Sequence, residues 1–548
     1  MRPLVPAIAA LAALALLNAS VTFYDVWPTL GVEWHGHLSG ELAIAVLLLA
    51  AAAWAGRRHR APWLLRTVAG VWLALVVGRY ADVMAPALYG RPINLYWDLR
   101  HVAAVAAMMT DAVAAPVLVA GVAAVILLLA VLYLVVRTAF AAVARALDAP
   151  APRAAAVLAA TVVLAVAALQ AAESPLPRPF IVAPAVSATY WHQARLAADQ
   201  YARGRAPVAA AAPLTADLGG IRGADVLLVF MESYGAVTLD RPIVAQPLAA
   251  TRDRFAADVA ASGRQVVSAM VTSPTFGGGS WLAHVSFLTG VETRDEAANI
   301  TLMSGRRDTL VSVFGQAGYR TVALMPGLRY PWPEGAFYGF DTIYGTTALD
   351  YTGPRFGWWT VPDQFALARL DVLERAQGDR RPLFLFFPTT STHAPFGPTA
   401  PYQPDWPRLV SPEPYPEPEV AQAMARVPDY FDLAPSYVSA MAYDFATIGG
   451  YLRNHAGRDL VLVLIGDHQP AAAVAGEGAS WDVPVHVVTT RTAVLERLVA
   501  HGFRTGVTPA RAALGPLHAL LPTLLAAFAD IGVRTAAPAP AESVLAAP

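Results

Sequence analysis

The side chains most able to do chemistry are a glutamate, an aspartate and a histidine, each placed directly after a run of apolar residues. Glu232 follows one such run, and the pair Asp467 and His468 follows another. Carboxylate oxygens and an imidazole nitrogen together can hold a divalent cation and leave a coordination position open. The chain has no cysteine, so any metal site must use oxygen and nitrogen ligands. We therefore expect a metal centre built from these three residues.

Two further segments add a nucleophile and a second imidazole. Ser280 follows the glycine run Gly277–Gly279, where a helix can begin, and its hydroxyl can fill the open position on the cation. His393 lies in a loop after another apolar run. Each of these motifs is weak alone, since glycines commonly form turns and loop histidines are commonly exposed. Their combination predicts a metal-activated serine with a histidine nearby.

The pattern of apolar runs and helix-like stretches explains why these residues should meet. Continuous apolar strands that alternate with helices are typical of a mainly parallel α/β sheet covered on both faces, which binds ligands beyond the carboxyl ends of its strands. The expected strands are 225–231, 265–272, 321–326, 383–388, 460–465 and 483–489, and the expected helices include 364–375, 436–455 and 492–501.

The first third of the chain has a different character. The 548 residues are 56% hydrophobic and only 14% charged, which is too apolar for a wholly soluble protein. Long apolar segments account for this excess, and each is a candidate membrane span. The five candidates are 4–24, 41–56, 64–88, 112–136 and 154–172.

Arginine placement predicts the orientation of these spans. The chain contains no lysine. Most arginines of the first third of the chain lie at the N-terminus, around the connection between the second and third spans, and around the connection between the fourth and fifth. The positive-inside rule then places the N-terminus in the cytoplasm and everything after the fifth span outside the plasma (inner) membrane. The net charge of −1 offers no basic field of the kind that binds nucleic acid, so no nucleic-acid partner is expected.

The predicted organisation is a multi-span α-helical membrane domain followed by an extracytoplasmic α/β domain. The domains are 1–172 for about five membrane helices, 173–220 for a Pro- and Ala-rich connector, 221–534 for the catalytic domain and 535–548 for a disordered tail. Within the third span, Arg79 and Asp82 are three residues apart and should pair. This pair is either a polar notch for a lipid headgroup or a structural ion pair.

Taken together, these motifs resemble the sulfatase-like branch of the alkaline phosphatase superfamily. Within that branch, the chain is similar to membrane-anchored lipoteichoic acid synthases and phosphoethanolamine transferases, which also carry about five spans before an extracytoplasmic domain. The resemblance implies that Glu232, Asp467 and His468 are metal ligands and that Ser280 is the metal-bound nucleophile. It also implies that His393 binds substrate. The Gly-Asp-His motif at 466–468 is the most specific of these matches.

Several departures from the family pattern leave alternatives open. The nucleophile of the family is a threonine, so Thr275 is the alternative to Ser280. His284 stands where the synthases tend to have a glutamate, and it is either a substrate contact or a structural histidine. Arg329 is the nearest candidate for the arginine that grips phosphate. The residues after Ser280 lack the proline and arginine of formylglycine sulfatases, so sulfate-ester hydrolysis by that route is not expected.

The resemblance implies a reaction and its participants. The expected activity transfers a phosphoglycerol or phosphoethanolamine headgroup from a phospholipid donor to an envelope glycan or lipid acceptor, through a phospho-Ser intermediate. One divalent metal is expected, with Mn²⁺ or Zn²⁺ ahead of Mg²⁺ because an imidazole is among the ligands. A membrane-tethered phosphodiesterase or phosphatase is the first alternative, and a non-catalytic membrane sensor is the second.

Overall fold

The structure is a computed structural model of the chain that divides into two compact units: residues 1–87 with 91–204, and residues 88–90 with 205–548. The described residues are 4–26, 31–56, 59–89, 93–99, 102–171, 181–203, 214, 216–329, 332, 334–357, 359–378 and 381–530. The predicted disordered tail at 535–548 lies outside them, as do parts of the predicted connector.

The first unit consists of helices and one short antiparallel hairpin. Its elements are α1 Leu4–Ala19, β1 Phe23–Asp25, β2 Val32–Trp34, α2 Gly40–Trp54, α3 Pro62–Tyr89, α4 Leu95–Asp98, α5 Val102–Ala112, α6 Ala115–Ala146, α7 Pro150–Ala171 and α8 Val186–Arg203. Helix α8 lies within the predicted connector, where the sequence indicated a helix over 190–201.

Three helices of this unit are long and apolar enough to cross a membrane: Pro62–Pro86, Ala115–Ala146 and Pro150–Ala171. The apolar stretches Ala7–Ala19 and Gly40–Trp54 are helical but shorter, so the predicted count of five spans stays a prediction. Large apolar side chains in the middle of α6, such as Ile126 and Leu127, are more than 60% exposed. A helix that shows such a surface requires a lipid environment, and the chain is membrane-anchored.

The predicted spans differ from the helices mainly at their ends. The first was predicted to reach residue 24, but α1 stops at Ala19 because the chain turns into the hairpin. Asn18 holds this turn: its amide nitrogen donates to the His37 carbonyl at 2.8 Å and its carbonyl oxygen accepts from the Ser39 N–H at 2.8 Å. The fourth span, predicted to end at residue 136, continues as helix to Ala146.

Contacts at the two ends of the helices show which connections share a side. Arg60, between α2 and α3, donates to Asp148, between α6 and α7, at 3.0 Å. At the other end, the Leu38 N–H before α2 donates to the Ile181 carbonyl at 2.8 Å. The chain therefore leaves α7 on the same side as the α1–α2 connection, and the two Arg-rich connections lie together on the opposite side.

Arg79 is buried beneath the hairpin of the first unit. Its Nε donates to the Phe23 carbonyl at 2.8 Å, and its guanidinium lies 4.8 Å from the centre of the Tyr24 ring. Its Nη1 is 3.6 Å from Asp82, so the two charges pair as expected. The contacts with Phe23 and Tyr24 tie α3 to the hairpin, which agrees with the structural alternative for this pair.

The second unit is an α/β domain. Its strands are β3 Asp225–Met231, β4 Gln265–Thr272, β5 Arg320–Leu324, β6 Thr342–Tyr344, β7 Leu383–Pro388, β8 Leu460–Gly466, β9 Asp482–Thr489, β10 Arg504–Thr505 and β11 Ala513–Pro516. Its helices are α9 Val237–Asp240, α10 Pro242–Ala245, α11 Ala249–Ala261, α12 Ser280–Thr289, α13 Glu296–Met303, α14 Leu310–Gln316, α15 Gly335–Tyr338, α16 Thr346–Leu349, α17 Asp363–Gln377, α18 Trp406–Leu409, α19 Glu417–Met424, α20 Ala434–Asn454, α21 Ala472–Ala475, α22 Thr492–Ala500 and α23 Leu520–Phe528.

The strands form one mixed sheet in the order β10-β4-β9-β8-β3-β7-β5-β6, with β11 also paired to β4. Strands β8, β3, β7, β5 and β6 are mutually parallel, and β9 is antiparallel to both of its neighbours. The interior of β3 and β8 is fully buried, as runs of Val, Leu and Ile on a sheet covered on both faces require. The predicted α/β fold with a mainly parallel sheet is confirmed.

The last part of the second unit consists of three short elements. Residues 513–516 form β11 beside β4, a single 3₁₀ turn follows at Leu517–Ala519, and only Leu520–Phe528 is α-helical. Gly515 has φ 149°, a conformation that breaks a helix and suits an irregular edge strand. The apolar face of α23 is buried, as its pattern indicated.

Candidate metal centre and active site

The register of the central strands brings the predicted ligands to one edge of the sheet. In the parallel pair β3–β8, Met231 lies opposite Gly466, so Glu232 and Asp467 leave the sheet at the same level. In the parallel pair β3–β7, Phe230 lies opposite Pro388, which places Thr389 next to them. The Glu232 N–H donates to Thr389 Oγ1 at 3.1 Å and extends this pairing by one residue beyond the strands.

Four side chains converge at this edge. Ser280 Oγ donates to Glu232 Oε2 at 2.8 Å and lies 3.2 Å from His468 Nε2. The same His468 nitrogen is 3.3 Å from Glu232 Oε1 and 3.6 Å from Asp467 Oδ2. The ligand atoms of Glu232, Asp467 and His468 all lie within 4.8 Å of one another, which is the spacing of groups around a single ion.

Backbone groups fix the orientation of the two carboxylates. Asp467 Oδ1 accepts from the N–H of Ser233 at 2.8 Å and from the N–H of His468 at 2.7 Å. Ser233 adopts φ 58°, which non-glycine residues rarely do, and its carbonyl accepts from the Tyr437 hydroxyl at 2.7 Å. Its hydroxyl contacts Glu232 Oε1 at 3.1 Å. This strained turn is held by its surroundings and points the N–H of Ser233 at the site.

One ring nitrogen of His468 is committed and the other is available. Nδ1 lies 2.7 Å from the carbonyl of Gln469, which can only accept, so Nδ1 carries a proton and Nε2 faces the two carboxylates. Burial disfavours the charged ring, yet the charges of Asp467 and Glu232 raise the pKa of His468 to about 9. The two carboxylates therefore bind a positive charge at Nε2, which a metal ion can supply in place of a proton.

The site has a deficit of positive charge that a cation would correct. Burial and the Glu232 carboxylate raise the pKa of Asp467, and burial acts the same way on Glu232, whose pKa the His468 charge nevertheless brings below its usual range. Asp467 Oδ2 is buried and accepts no hydrogen bond from the described residues. An unsatisfied carboxylate oxygen in a buried cluster with an imidazole fits a divalent cation with mixed oxygen and nitrogen ligands.

The glycine run before Ser280 forms the turn into α12. Gly277, Gly278 and Gly279 have φ values of 66°, 144° and 79°, so the chain passes through three successive conformations that side chains disfavour. The Gly277 N–H donates to the Gln469 carbonyl at 3.1 Å and joins this loop to the segment of the metal ligands. Ser280 is then the first residue of α12, where the helix dipole favours a phosphate.

Thr275, the alternative nucleophile, has another position. It is buried, and its hydroxyl donates to the carbonyl of Gly278 at 2.6 Å, which closes the glycine turn. The structure therefore brings Ser280, and not Thr275, into contact with Glu232 and His468. The role of Ser280 as nucleophile stays a prediction.

His393 lies beside an open pocket next to the metal ligands. Space of about 350 Å³ is bounded by Phe356, Trp359, Thr390, Ser391 and His393, among others. The ring of His393 meets the Trp359 ring edge-on at 5.2 Å, and its Nδ1 is 2.7 Å from the Ala394 carbonyl. Nε2 is therefore the ring atom available to a bound molecule. The loop of His393 also reaches Glu232, because the Glu232 N–H donates to Thr389 Oγ1 at 3.1 Å.

The two remaining candidates are Arg329 and His284. Arg329 donates to the hydroxyl of Thr360, the residue after Trp359, at 2.8 Å. His284, one helical turn after Ser280, packs its ring against Phe230 and Phe386 at 4.6 and 5.4 Å. This position agrees with the structural alternative for His284 rather than with a substrate contact.

The chemistry of His284 supports that reading. Its Nε2 is buried and has no hydrogen-bond partner among the described residues. Burial lowers the pKa of His284 to about 3, so the ring is neutral at physiological pH. The neutral imidazole packs on two phenylalanine rings and so holds α12, the helix of Ser280, against the sheet.

Sequence reasoning missed residues whose role is to hold the others. Thr389 and Tyr437 bind the backbone on either side of Glu232, and both are common residue types in loops and helices. Trp359, a tryptophan in a loop rich in Pro and Gly, meets the ring of His393 edge-on. The single signal for Thr389 is its position directly after a buried strand, as for Glu232 and Asp467.

The chain is similar to several known proteins. Residues 225–487 match the protein-family model described as Sulfatase. No curated protein sequence matches the chain. Similar solved structures include the integral membrane protein lipooligosaccharide phosphoethanolamine transferase A (EptA) from Neisseria meningitidis, at 14% identity over 94% of this chain and 95% of that chain, with a TM-score of 0.49.

Two further structures resemble the chain over a smaller part. The lipoteichoic acid synthase LtaP from Listeria monocytogenes is 15% identical over 57% of this chain and 74% of that chain, with a TM-score of 0.37. The Streptococcus pyogenes phosphoglycerol transferase GacH, in complex with sn-glycerol-1-phosphate, is 13% identical over 56% of this chain and 85% of that chain, with a TM-score of 0.33.

Proposed function

We propose that the chain is a membrane-anchored phosphotransferase, since residues 225–487 match the Sulfatase family model. It moves a phospholipid-derived phosphoryl headgroup, phosphoglycerol or phosphoethanolamine, to an envelope glycan or lipid acceptor. The observation that carries this proposal is the convergence of Ser280 Oγ with Glu232 Oε2 and His468 Nε2 at the start of α12.

Glu232, Asp467 and His468 would hold one divalent cation, with Ser280 Oγ as a further ligand. We favour Mn²⁺ or Zn²⁺ over Mg²⁺, since Mg²⁺ prefers an all-oxygen shell and His468 offers a nitrogen. When bound, the cation would lower the pKa of the serine hydroxyl and offset the negative charge of the phosphoryl group.

Ser280 would then act in two steps. Its Oγ attacks the phosphorus of the donor, an Oγ–P bond forms, and the bond from phosphorus to the diacylglycerol oxygen breaks. The departing diacylglycerol oxygen takes up a proton. An acceptor hydroxyl next attacks the phosphorus, breaks the Oγ–P bond and restores the free serine. The helix dipole at the start of α12 favours the anionic phosphoryl group throughout.

The pocket of His393 and Trp359 would receive the transferred headgroup or the acceptor. His393 Nε2 would bind a phosphoryl oxygen or give a proton to the leaving oxygen. Arg329, which binds Thr360 next to Trp359, would add positive charge near the phosphate. This division places bond exchange at Ser280 and substrate recognition in the neighbouring pocket.

The first unit supports a lipid donor outside the cytoplasm. Its Arg-rich connections share one side through the contact of Arg60 with Asp148, and the chain leaves α7 on the other side, next to Leu38. Arginine-rich connections face the cytoplasm, so this unit directs the following chain out of it. Anchoring in the bilayer also raises the effective concentration of a lipid substrate.

The test uses the full chain in nanodiscs that contain phosphatidylglycerol or phosphatidylethanolamine with a radiolabelled headgroup. We expect metal-dependent release of diacylglycerol with transfer of the label to an added envelope glycan or lipid acceptor, and no release by the Ser280→Ala variant. Free headgroup phosphate as the sole product, even with acceptor present, would show a hydrolase instead and would overturn the transferase proposal.

A further inference from the structure

Two buried aspartates lie directly behind the pocket. Asp363 is the first residue of α17, and Asp444 lies in the middle of α20. Both side chains are 0% exposed. The two carboxyl groups bind neighbouring residues of the same segment: Asp363 binds Thr390 and Ser391, and Asp444 binds Thr392. Neither belongs to the metal centre, and the reaction proposed above leaves both unused.

Asp363 is surrounded by hydrogen-bond donors from the pocket loop. Its carboxylate oxygens each accept from the Thr390 N–H at 3.0 Å, and Oδ2 accepts from the Ser391 N–H at 2.7 Å. The Thr390 hydroxyl adds a contact at 3.3 Å. Its place in the first turn of α17 also favours a negative charge. These contacts suit an ionised carboxylate.

Asp444 has fewer donors. Its Oδ2 accepts from the Thr392 hydroxyl at 3.2 Å. Its Oδ1 is buried and has no protein donor among the described residues. A proton on Asp444 would satisfy that oxygen, because a carboxyl O–H can donate to the ionised Asp363. The hydrogen-bond pattern thus assigns the proton to Asp444 and the charge to Asp363.

The electrostatics of the buried pair also favours one proton between Asp363 and Asp444. Burial raises the pKa of Asp363, and burial together with the Asp363 charge raises that of Asp444 further. Tyr443 and Tyr415 also face the pair, but burial raises the pKa values of both phenols well above 10, so both stay neutral. Two buried carboxylates without a cationic partner cannot both stay ionised at neutral pH.

The loop that the pair holds connects the pocket to the metal centre. It runs from Thr389, whose hydroxyl accepts from the Glu232 N–H, to His393 in the pocket wall. Thr390 and Ser391 bind Asp363, and Thr392 binds Asp444. Every residue between Thr389 and His393 is therefore anchored to the aspartate pair.

We propose that Asp363 and Asp444 share one proton and, as a pair of positioning residues, set the distance between His393 and the metal centre. The assignment of a substrate role to His393 rests on the proposed function. The existence of the shared proton does not, because it follows from the contacts of the pair alone.

Asparagine variants test the assignment, since the two positions should respond oppositely. In Asp444→Asn the amide can still donate to the ionised Asp363, so we expect KM and kcat close to those of the wild type. In Asp363→Asn the amide NH₂ group opposes the N–H donors of Thr390 and Ser391, so the loop must shift. Misplacement of a substrate group by about 1 Å can cost roughly 10²-fold in kcat/KM, and we expect this loss to fall mainly on KM.

Infrared spectroscopy of the metal-loaded full chain gives a readout that is independent of turnover. The wild type should show the C=O band of a protonated carboxyl group at neutral pH, Asp444→Asn should lack it, and Asp363→Asn should keep it. An identical spectrum for the wild type and Asp444→Asn would overturn the shared proton, and equal KM values for all three proteins would overturn the positioning role.

Thr392→Val keeps the experiment decisive if Asp363→Asn does not fold. It removes only the hydroxyl that joins the loop to Asp444, with little change of shape, so KM should rise while kcat and the melting temperature stay near the wild-type values. An unchanged KM would contradict the positioning role. Should the wild type transfer no headgroup, the infrared result would still stand, so the two proposals can fail separately.

Discussion

Ser280 Oγ lies 2.8 Å from Glu232 Oε2, although the two residues are 48 positions apart in the chain. Glu232 directly follows the central strand β3, and Ser280 is the first residue of α12. The contact therefore joins the edge of the sheet to the helix that follows the glycine turn 277–279. The same hydroxyl is 3.2 Å from His468 Nε2. The sheet thus brings together the proposed nucleophile and the proposed metal ligands before any substrate binds.

The metal ligands should stabilise the fold when a cation is bound. Asp467→Asn keeps the oxygen that accepts from Ser233 but loses the charge at Oδ2, so the variant should bind Mn²⁺ or Zn²⁺ much more weakly. A cation at 100 times its Kd adds about 2.7 kcal/mol to the free energy of unfolding. Chelation should therefore lower the Tm of the wild type and leave that of Asp467→Asn unchanged.

The control for that measurement is Asp253→Asn, which changes an exposed aspartate on α11. Its Tm should fall on chelation as the wild-type Tm does. If chelation leaves the wild-type Tm and metal content unchanged, the ligand assignment is wrong.

Gly466 should be intolerant of a side chain. A Cβ at this position would lie 1.8 Å from the Tyr234 carbonyl oxygen, and the residue directly precedes Asp467. Gly466→Ala should lower the free energy of unfolding by more than about 3 kcal/mol or prevent folding. Gly457→Ala, where a Cβ meets open space, is the matched control and should behave as the wild type in thermal melts. Similar Tm values for both variants would refute the close contact between Gly466 and the turn at Tyr234.

His486 should make the stability of the domain depend on pH. It is buried in β9, where Ser268 and Tyr234 bind its two ring nitrogens at 2.6 and 2.9 Å. Burial lowers the pKa of His486 from 6.5 to about 4. Between these values the unfolded chain binds a proton that the folded chain does not, so stability falls as the pH decreases through this window.

The full effect of that linkage is on the order of 3 kcal/mol. Denaturant unfolding of the metal-saturated protein from pH 7 to pH 4 would measure it. The His486→Gln variant, which cannot titrate, should show a flatter pH dependence. The same slope in both proteins would mean that His486 is not the group responsible.

The absence of cysteine from the chain allows a direct test of orientation. Val499 is 44% exposed on the second unit, and the Arg60 side chain is 54% exposed between α2 and α3. In intact spheroplasts, a membrane-impermeant maleimide should label Val499→Cys and not Arg60→Cys. Labelling of Arg60→Cys alone would place the second unit in the cytoplasm and remove the argument for an extracytoplasmic reaction.

Much of the second unit was predictable because its signals are local. The strands 225–231, 265–272 and 383–388 match their predicted bounds, since each is a continuous apolar run ended by polar residues. The site could be anticipated for a related reason: parallel strands end at one edge, and Glu232 and Asp467 each follow such a strand. The apolar runs in the sequence, and the rule that parallel strands end at one edge of a sheet, were sufficient to predict these features.

Other features depend on contacts that no local pattern encodes. Asp363 and Asp444 lie on two different helices and are 81 positions apart in the chain. An aspartate at the start of a helix, such as Asp363, normally indicates only a cap. His284 was a candidate for substrate contact because it follows Ser280 by one turn. Its position under the helix is decided by Phe230 and Phe386 on the sheet, which the sequence near His284 does not reveal.

The most direct test of the central claim is the identification of a covalent adduct. The full chain would be incubated with metal and a phospholipid donor in the absence of acceptor, then digested and analysed by mass spectrometry. We predict a phosphoryl headgroup on Ser280, in the peptide that spans Gly277 to His284, and its loss in Ser280→Ala, with Thr275→Ala still forming it. An adduct on Thr275, or normal turnover by Ser280→Ala, would contradict the account.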